Sequence, residues 1–387
     1  MKRISIVIGL GYGDEGKGNV VNGLLNYNQK NTLVVRFNGG NQVTHTVYKD
    51  GKGHVFSNFG SGTMKNVPTL YTADTLMDPL SYMGELEILQ NKGIEPIVYF
   101  DVNAKVITPY DVFANRMQMR PRSSTGNGIN ATLKREEAGF QLRVIDLFYP
   151  DILAIKLRNI GRYYNLPTIP AYKQKAIIDR WLKAALQFKK LKSVHLVHKP
   201  NLNNIENFIF EGAQGIMLDK AHGYFPNVTP TDTTSKLVWK FLKDIDLTDD
   251  VIINMLYVTR AYATRHGVGY LMHEKRDSSF ISDNPYESNV RNSYQGEFRK
   301  AILDYKTLEY AITVDNLYID SSINIHTNLV VTCLDLVHKE SDDLFIMRNN
   351  TVLTYDVFEL SSKLKCDNAI PIRNPEWIIP KILHTGN

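Results

Sequence analysis

The stretch GLGYGDEGKGN, residues 9 to 19, follows the apolar run ISIVI and places a glycine-rich turn at the exit of a strand. Three readings compete for it. Gly11, Gly13 and Gly16 satisfy G-x-G-x-x-G, the dinucleotide fingerprint. The next strand, however, ends in Arg36-Phe37-Asn38 without an acidic residue for a ribose, and Lys17 is foreign to that motif. Gly11, Gly16 and Lys17 match the P-loop pattern G-x-x-x-x-G-K, but Gly18 stands where a Ser or Thr should ligate magnesium. The third reading is a glycine turn carrying a surface Asp-Glu pair at a helix start. If the P-loop reading holds, Asp14 is the replacement metal ligand, because a hard cation prefers carboxylate oxygen and turns its repulsion from phosphate into a bridge. Gly13, Glu15, Gly16 and Gly18 would then border a nucleotide, with Lys17, the loop N–H groups and the helix start holding phosphate.

The rest of the chain places this turn in an α/β sheet. Short β-branched runs (ISIVI, TLVVRF, PIVYF, VHLVH, NFIFEGA, VIINMLYVTRAYATR, NLVVTCLDLV) alternate with helix signals, one of them opened by Asp78-Pro79 and closed by Gly93. The expected fold is a central, mostly parallel sheet flanked by helices, in one domain over residues 1–387 with insertions around 105–200 and 270–300. The segment 171–192 sets Ile177, Trp181, Ala184, Ala185 and Phe188 on one helical stripe, so its lysines read as a solvated face. A net charge of +5 from 45 basic and 40 acidic residues suits anionic ligands, and no basic block is dense enough for nucleic acid. No apolar run is long enough for a membrane span, and the apolar start is too short for a signal peptide. Cys333 and Cys366 lack metal or redox spacing and read as core residues of a cytoplasmic protein.

Two further glycine-led turns follow strands, Gly39-Gly40-Asn41-Gln42-Val43-Thr44-His45-Thr46 and Glu211-Gly212-Ala213-Gln214-Gly215. Open α/β sheets bind ligands at such turns.

Taken in collinear order, GYGDEGKGNVV, VVRFNGGNQVTHT, FEGAQGIMLDKAHGYFPNVTPTDTT, RAYATRHGVG and TCLDLV strongly resemble adenylosuccinate synthetase, from Ile8 to the terminal His384-Thr385-Gly386. The resemblance implies a homodimeric ligase that uses GTP and Mg2+ to join L-aspartate to C6 of IMP through a 6-phosphoryl intermediate. It makes Asp14 the base that takes the proton from purine N1 and a magnesium ligand, and His45 the donor to the transferring phosphoryl group or O6. Lys17 would bind the transferred phosphate, Thr44 would offer its carbonyl to magnesium, and Thr46, Asp335 and Gly386 would contact the triphosphate nucleotide, Asp335 reading guanine N1 and N2. Gln42, Ser124, Thr125, Gln214 and Thr229 match the positions that bind the purine monophosphate.

The chain departs from the family at three places. The arginine-rich aspartate loop is replaced by NVRNSYQGEFRKAILD, leaving Arg291 and Arg299 as clamps for the aspartate carboxylates, with a surface ion pair as the rival role of Arg299. The family's cross-subunit arginine aligns with Gly139, so that Lys134 or Arg135 is the available substitute. Cys333 stands where the family stacks a lysine on guanine, and Thr44 and His266 replace smaller or apolar residues. Phage relatives with similarly divergent substrate loops use dGMP, with GTP or ATP. IMP is the expected acceptor here because Asp14, which some of those relatives replace by Ser, is retained. A nucleotide-binding regulator without turnover is the alternative from another class.

Overall fold

The computed structural model describes residues 2–373 apart from 27–28, 50–51, 119–123, 167–169, 199–201, 246–250, 285–286, 288–293, 295, 321–322 and 339–340. Among the described residues nine strands form one sheet: β1 (Lys2–Gly9), β2 (Thr32–Arg36), β3 (Thr69–Tyr71), β4 (Val98–Asp101), β5 (Val194–Val197), β6 (Asn207–Gly215), β7 (Val251–Arg260), β8 (Ile325–Thr332) and β9 (Asn368–Pro371). Their spatial order is β9-β8-β7-β1-β6-β2-β3-β4-β5, and every neighbouring pair is parallel. The expected sheet is therefore present.

The central strand shows why these runs pair. Ile4, Ile6 and Ile8 of β1 point into a core shared with Phe208, Phe210, Met255 and Tyr257. Val7, on the opposite face, packs with Val20, Val21 and Leu24 of helix α1 (Lys17–Leu24). A strand covered on both faces reads as a continuous apolar run with a period of two, as ISIVI does.

Helix α2 (Pro79–Asn91) starts where Asp78 accepts a hydrogen bond from the Leu80 amide at 3.0 Å, and the chain reverses at Gly93 with φ +75°. Between β4 and β5 lie α3 (Pro109–Gln118), α4 (Ile129–Glu137), α5 (Pro150–Tyr164) and α6 (Ala171–Phe188). On α6, Trp181, Ala184, Ala185 and Phe188 are buried, whereas Ile177 is exposed. The predicted stripe thus begins one turn late, because only the C-terminal half of α6 lies against the core. Lys173, Lys175, Lys183 and Lys190 are solvated as expected.

Two strands end earlier than the sequence suggests. The run VIINMLYVTRAYATR stops at Arg260, and Ala263–His266 instead pairs antiparallel with Phe298–Ala301. In NLVVTCLDLV the strand ends at Thr332, where Cys333, at φ 59°, turns the chain into a single 3-10 turn over Leu334–Leu336. Cys366 is buried in the main core, and burial pushes its thiol up to about 12. Among the described residues no helix is long and apolar enough to cross a membrane.

Candidate active site

The carboxyl ends of β1, β2, β6, β7 and β8 converge on a cavity of about 540 Å³. β1 lies at the centre of the sheet, between β6 and β7, so the turns leaving all these strands meet at one edge.

The first turn is organised by its own acid. Glu15 is buried, and its carboxylate accepts hydrogen bonds from the Gly11 and Gly13 amides at 3.1 and 2.8 Å and from Lys17 Nζ at 2.5 Å. It fills space that side chains would need elsewhere: a Cβ on Gly9 would lie 2.4 Å from Glu15 Oε2, and one on Gly215 would lie 2.5 Å from Oε1. The glycines of β1 and β6 therefore admit the carboxylate, and the carboxylate shapes the turn. This corrects the picture of a loop whose amides and lysine are all open to phosphate, since Gly11, Gly13 and Lys17 already hold an internal anion. The first turn of α1 keeps an open end, because its cap, Gly16, has no side-chain acceptor and Gly16, Lys17, Gly18 and Asn19 line the cavity.

Gly18, the residue that breaks the P-loop pattern, has a steric reason. A Cβ there would lie 2.8 Å from His45 Cβ, so its absence lets the hairpin formed by His45–Lys49 and Lys52–Phe56 pack against α1. His45 is thereby brought to the same cavity as Asp14. Its Nδ1 lies 2.9 Å from Glu211 Oε1 on β6. Burial by itself raises the Glu211 carboxyl, but His45, Ser61 and Arg36 outweigh it and hold the group below the usual carboxylate range. An ionised Glu211 accepts from Nδ1–H, and Nε2 is buried with no hydrogen-bond partner among the described residues.

Asp14 occupies the left-handed region at φ 63°, and its main-chain carbonyl accepts from Arg260 Nε. Arg260 also donates to Glu287 at 2.8 Å. Burial by itself would lower the Arg260 guanidinium, but neighbouring Cys333, Tyr262, Glu287 and Asp14 outweigh it and hold the group well above its ordinary value. His266 Nε2 lies 3.3 Å from Asp14 Oδ2.

All the predicted positions that the structure describes line this cavity except Arg299. They are Gly13, Asp14, Glu15, Gly16, Lys17, Gly18, Gln42, Thr44, His45, Thr46, Ser124, Thr125, Gln214, Thr229 and Asp335. Arg299 lies outside the lining: its guanidinium donates to Glu274 at 2.7 Å and to the Gly269 carbonyl at 2.9 Å, the ion-pair role that rivalled substrate binding. Arg291 and Gly386 lie outside the described residues. Arg135 is unavailable to a second subunit, because it is fully buried against Asp111, Glu136 and two main-chain carbonyls, while Lys134 is exposed.

Glu211, Arg260, Arg265, Glu287 and Arg373 also serve or line the site and were not singled out from sequence. For Glu211 a signal existed, an acid in a strand run directly before a glycine turn. The arginines end strands or follow them and look locally like ordinary surface charge.

Both amide atoms of Gln42, Oδ1 of Asn41 and Oε1 of Gln214 are buried without a hydrogen-bond partner among the described residues. Unsatisfied buried polar atoms around a cavity of this size mark a polar small-molecule site. Among the described residues no three His, Cys, Asp or Glu side chains gather into a metal cluster. A cation here would rely on few protein oxygens together with phosphate and water, which is how magnesium is commonly held.

Comparison with known proteins agrees with this geometry. The family model described as adenylosuccinate synthetase matches residues 6–344. Adenylosuccinate synthetase 1 of Pseudoalteromonas translucida is 31% identical over 280 residues, and the synthetase of Psychrobacter cryohalolentis is 32% identical over 279. Each match covers 68% of this chain but only 62% and 63% of those proteins' own length. The Buchnera aphidicola synthetase is 28% identical over 391 residues, covering 96% of this chain and 87% of its own. Among solved structures, fully ligated adenylosuccinate synthetase from Plasmodium falciparum shares the fold with a TM-score of 0.75 at 17% identity, over 97% of this chain and 98% of that one. The cyanophage S-2L succinoaminodeoxyadenylate synthetase, solved with dGMP and dATP, has a TM-score of 0.59 at 14% identity, over 97% of this chain and 94% of that one. A match through nearly all of the sheet and through each of the turns that line the cavity has one consequence: the chain belongs to the adenylosuccinate synthetase family.

Proposed function

We propose that this chain joins L-aspartate to C6 of a 6-oxopurine nucleotide, IMP before dGMP, with hydrolysis of GTP. In the first step Asp14 takes the proton from purine N1, and O6 attacks the γ-phosphorus, releasing GDP. In the second the aspartate amine attacks C6, the C6–O bond breaks and inorganic phosphate leaves, giving adenylosuccinate. The observation that carries this reading is that Asp14 and His45, from turns after two different strands, line one cavity beside Lys17, with His45 oriented by Glu211. A carboxylate suits the proton abstraction, and an imidazole N–H suits the charge that builds on O6 and the phosphoryl oxygens. Phosphoryl transfer otherwise requires positioning and charge neutralisation.

Magnesium fits the oxygen donors here: the Asp14 carboxylate and the Thr44 carbonyl would hold it, and it would neutralise triphosphate charge. Gln42, Ser124, Thr125, Gln214 and Thr229 serve the monophosphate, and the orphaned amide atoms of Gln42 and Gln214 are the hydrogen-bonding capacity left for it. Thr46, Asp335 and the loop residues Gly13, Glu15, Gly16 and Gly18 serve the triphosphate nucleotide. Arg291 clamps the aspartate carboxylates, and Arg299 joins it only by exchanging Glu274 for substrate. Gly386 completes the nucleotide site. A homodimeric, cytoplasmic enzyme of one domain with insertions belongs to the same reading, and sedimentation checks the dimer.

The deciding assay supplies GTP or ATP, magnesium, aspartate and either IMP or dGMP, and follows the absorbance of the succino-purine. Product from IMP with GTP is expected. Product from dGMP alone would transfer the reading to the reaction class of the cyanophage relative. Tight nucleotide binding with no product from either acceptor would leave a regulator.

A further inference from the structure

His266 lines the candidate site and sits beside the proposed base. Its ring is nearly buried, with its side chain 7% exposed, and Nε2 lies 3.3 Å from Asp14 Oδ2. Neither ring nitrogen makes a hydrogen bond among the described residues, the Nε2–Oδ2 approach being an ion-pair distance without hydrogen-bond alignment, so no competing contact holds the ring away from the carboxylate. Its placement is set from behind: His266 is in antiparallel register with Phe298, whose ring lies 4.9 Å away at 44°. The other face of the arrangement is Arg260, whose guanidinium lies 5.5 Å from the same Phe298 ring and whose Nε holds the Asp14 main-chain carbonyl. Two side chains backed by one aromatic ring thus reach the two ends of one residue, Arg260 its main chain and His266 its carboxylate. Asp14 needs such support, because a left-handed, non-glycine backbone persists only where its surroundings over-determine it.

We propose that His266 is a positioning residue for this chain's reaction: its Nε2–H holds the Asp14 carboxylate in the orientation from which it meets the purine edge. The inference rests on the role given to Asp14 above. A ligand-independent contact of this kind acts on the chemical step and leaves nucleotide binding nearly untouched, since His266 orients the base and the phosphates are held elsewhere.

The test is a set of variants in the assay that uses IMP, GTP, aspartate and magnesium. His266→Ala is expected to lower kcat by roughly 10- to 100-fold, the usual effect of removing an orienting partner, with both nucleotide KM values within about threefold of wild type. His266→Gln, which can place an N–H near the Nε2 position, is expected to recover most of the rate, and His266→Asn, whose amide is too short, is not. In an Asp14→Asn background, His266→Ala should bring no further fall. An unchanged kcat in His266→Ala, an equal fall in both backgrounds, or Gln and Asn variants of equal rate would overturn the inference. If His266→Ala does not fold, the Gln and Asn pair decides by the same criterion. A wild type without product from either acceptor would instead remove the proposed reaction. Crystal structures then judge the contact itself: an Asp14 carboxylate in the same rotamer in wild type and in His266→Asn would overturn it, and a displaced one would support it.

Discussion

At the scale of single residues, the acid in the first turn and the acid behind His45 do different work. Glu15 is an internal acceptor whose three donors would otherwise be a buried lysine, one buried amide and one half-buried amide without partners. Removing it leaves those donors unsatisfied, and each such loss costs about 1–3 kcal/mol. Glu15→Ala is therefore expected to lower unfolding free energy by at least about 2 kcal/mol in urea titrations; a loss within about 0.5 kcal/mol, the size of a surface substitution, would show that the carboxylate does not hold the turn. Glu211 instead acts through His45. If its charge fixes the tautomer with Nε2 towards substrate, Glu211→Gln should lower kcat about 10- to 100-fold, and the same change made on His45→Ala should add little. Multiplying losses in the double variant would separate the two residues.

At the scale of elements, helix ends and helix–strand contacts bury acids that titrate abnormally. Asp315, on α8 when α7 (Lys236–Asp244) and α8 (Tyr305–Asn316) are counted, accepts from the Ser235 amide at 2.6 Å and from the Ser235 and Tyr257 hydroxyls at 3.0 Å each. Burial pushes its carboxyl up to about 6 from an ordinary 3.8, and burial does the same to Asp78 at the start of α2. A raised carboxyl means that the folded state holds the proton more tightly than the unfolded chain. Its contribution is complete below about pH 4 and is lost as pH rises through about 6, up to about 3 kcal/mol for a shift of two pH units. Asp315→Asn keeps an acceptor for the amide and lets the hydroxyls reverse their bonds, so its stability should change less between pH 4 and 7 than that of wild type. Parallel pH dependences in urea unfolding would show that Asp315 does not titrate in that window.

At the scale of the whole molecule, the site is where five parallel strands end, and residues far apart in the chain meet there. Arg260 reaches the Asp14 carbonyl across 246 residues, and Thr332 donates to the Glu15 carbonyl at 2.8 Å across 317. Asp335 lies just past β8 on the same cavity, where burial raises its carboxyl above the ordinary value. If it reads guanine N1 and N2, Asp335→Asn should narrow the ratio of kcat/KM for GTP over ATP by about tenfold or more, since each lost charged hydrogen bond contributes roughly 1.5–3 kcal/mol. A ratio unchanged within twofold would remove that role.

Much of the site was legible along the chain because glycine-led turns after apolar runs are local events: the residue types that permit the turn also mark it. That is why the positions from Gly13 to Gly18, from Gln42 to Thr46, and Gln214 could be named before any tertiary contact was known. The ion pair of Arg299 was not legible along the chain, because an arginine near a substrate loop and an arginine in a hairpin ion pair have the same local surroundings, and only the fold brings Glu274 to it. Ile177 was misplaced for a related reason, since periodicity identifies a helix face but not how far the core extends along it. The order of residues alone determined the alternation of strands and helices and the chemistry carried by each turn, because both follow from side-chain period and backbone freedom over a few positions. Only the tertiary structure decided that Glu15 turns inward, that Glu211 faces His45 and that His266 faces Asp14, because strand order and register, set by packing across the whole sheet, choose which distant side chains become neighbours.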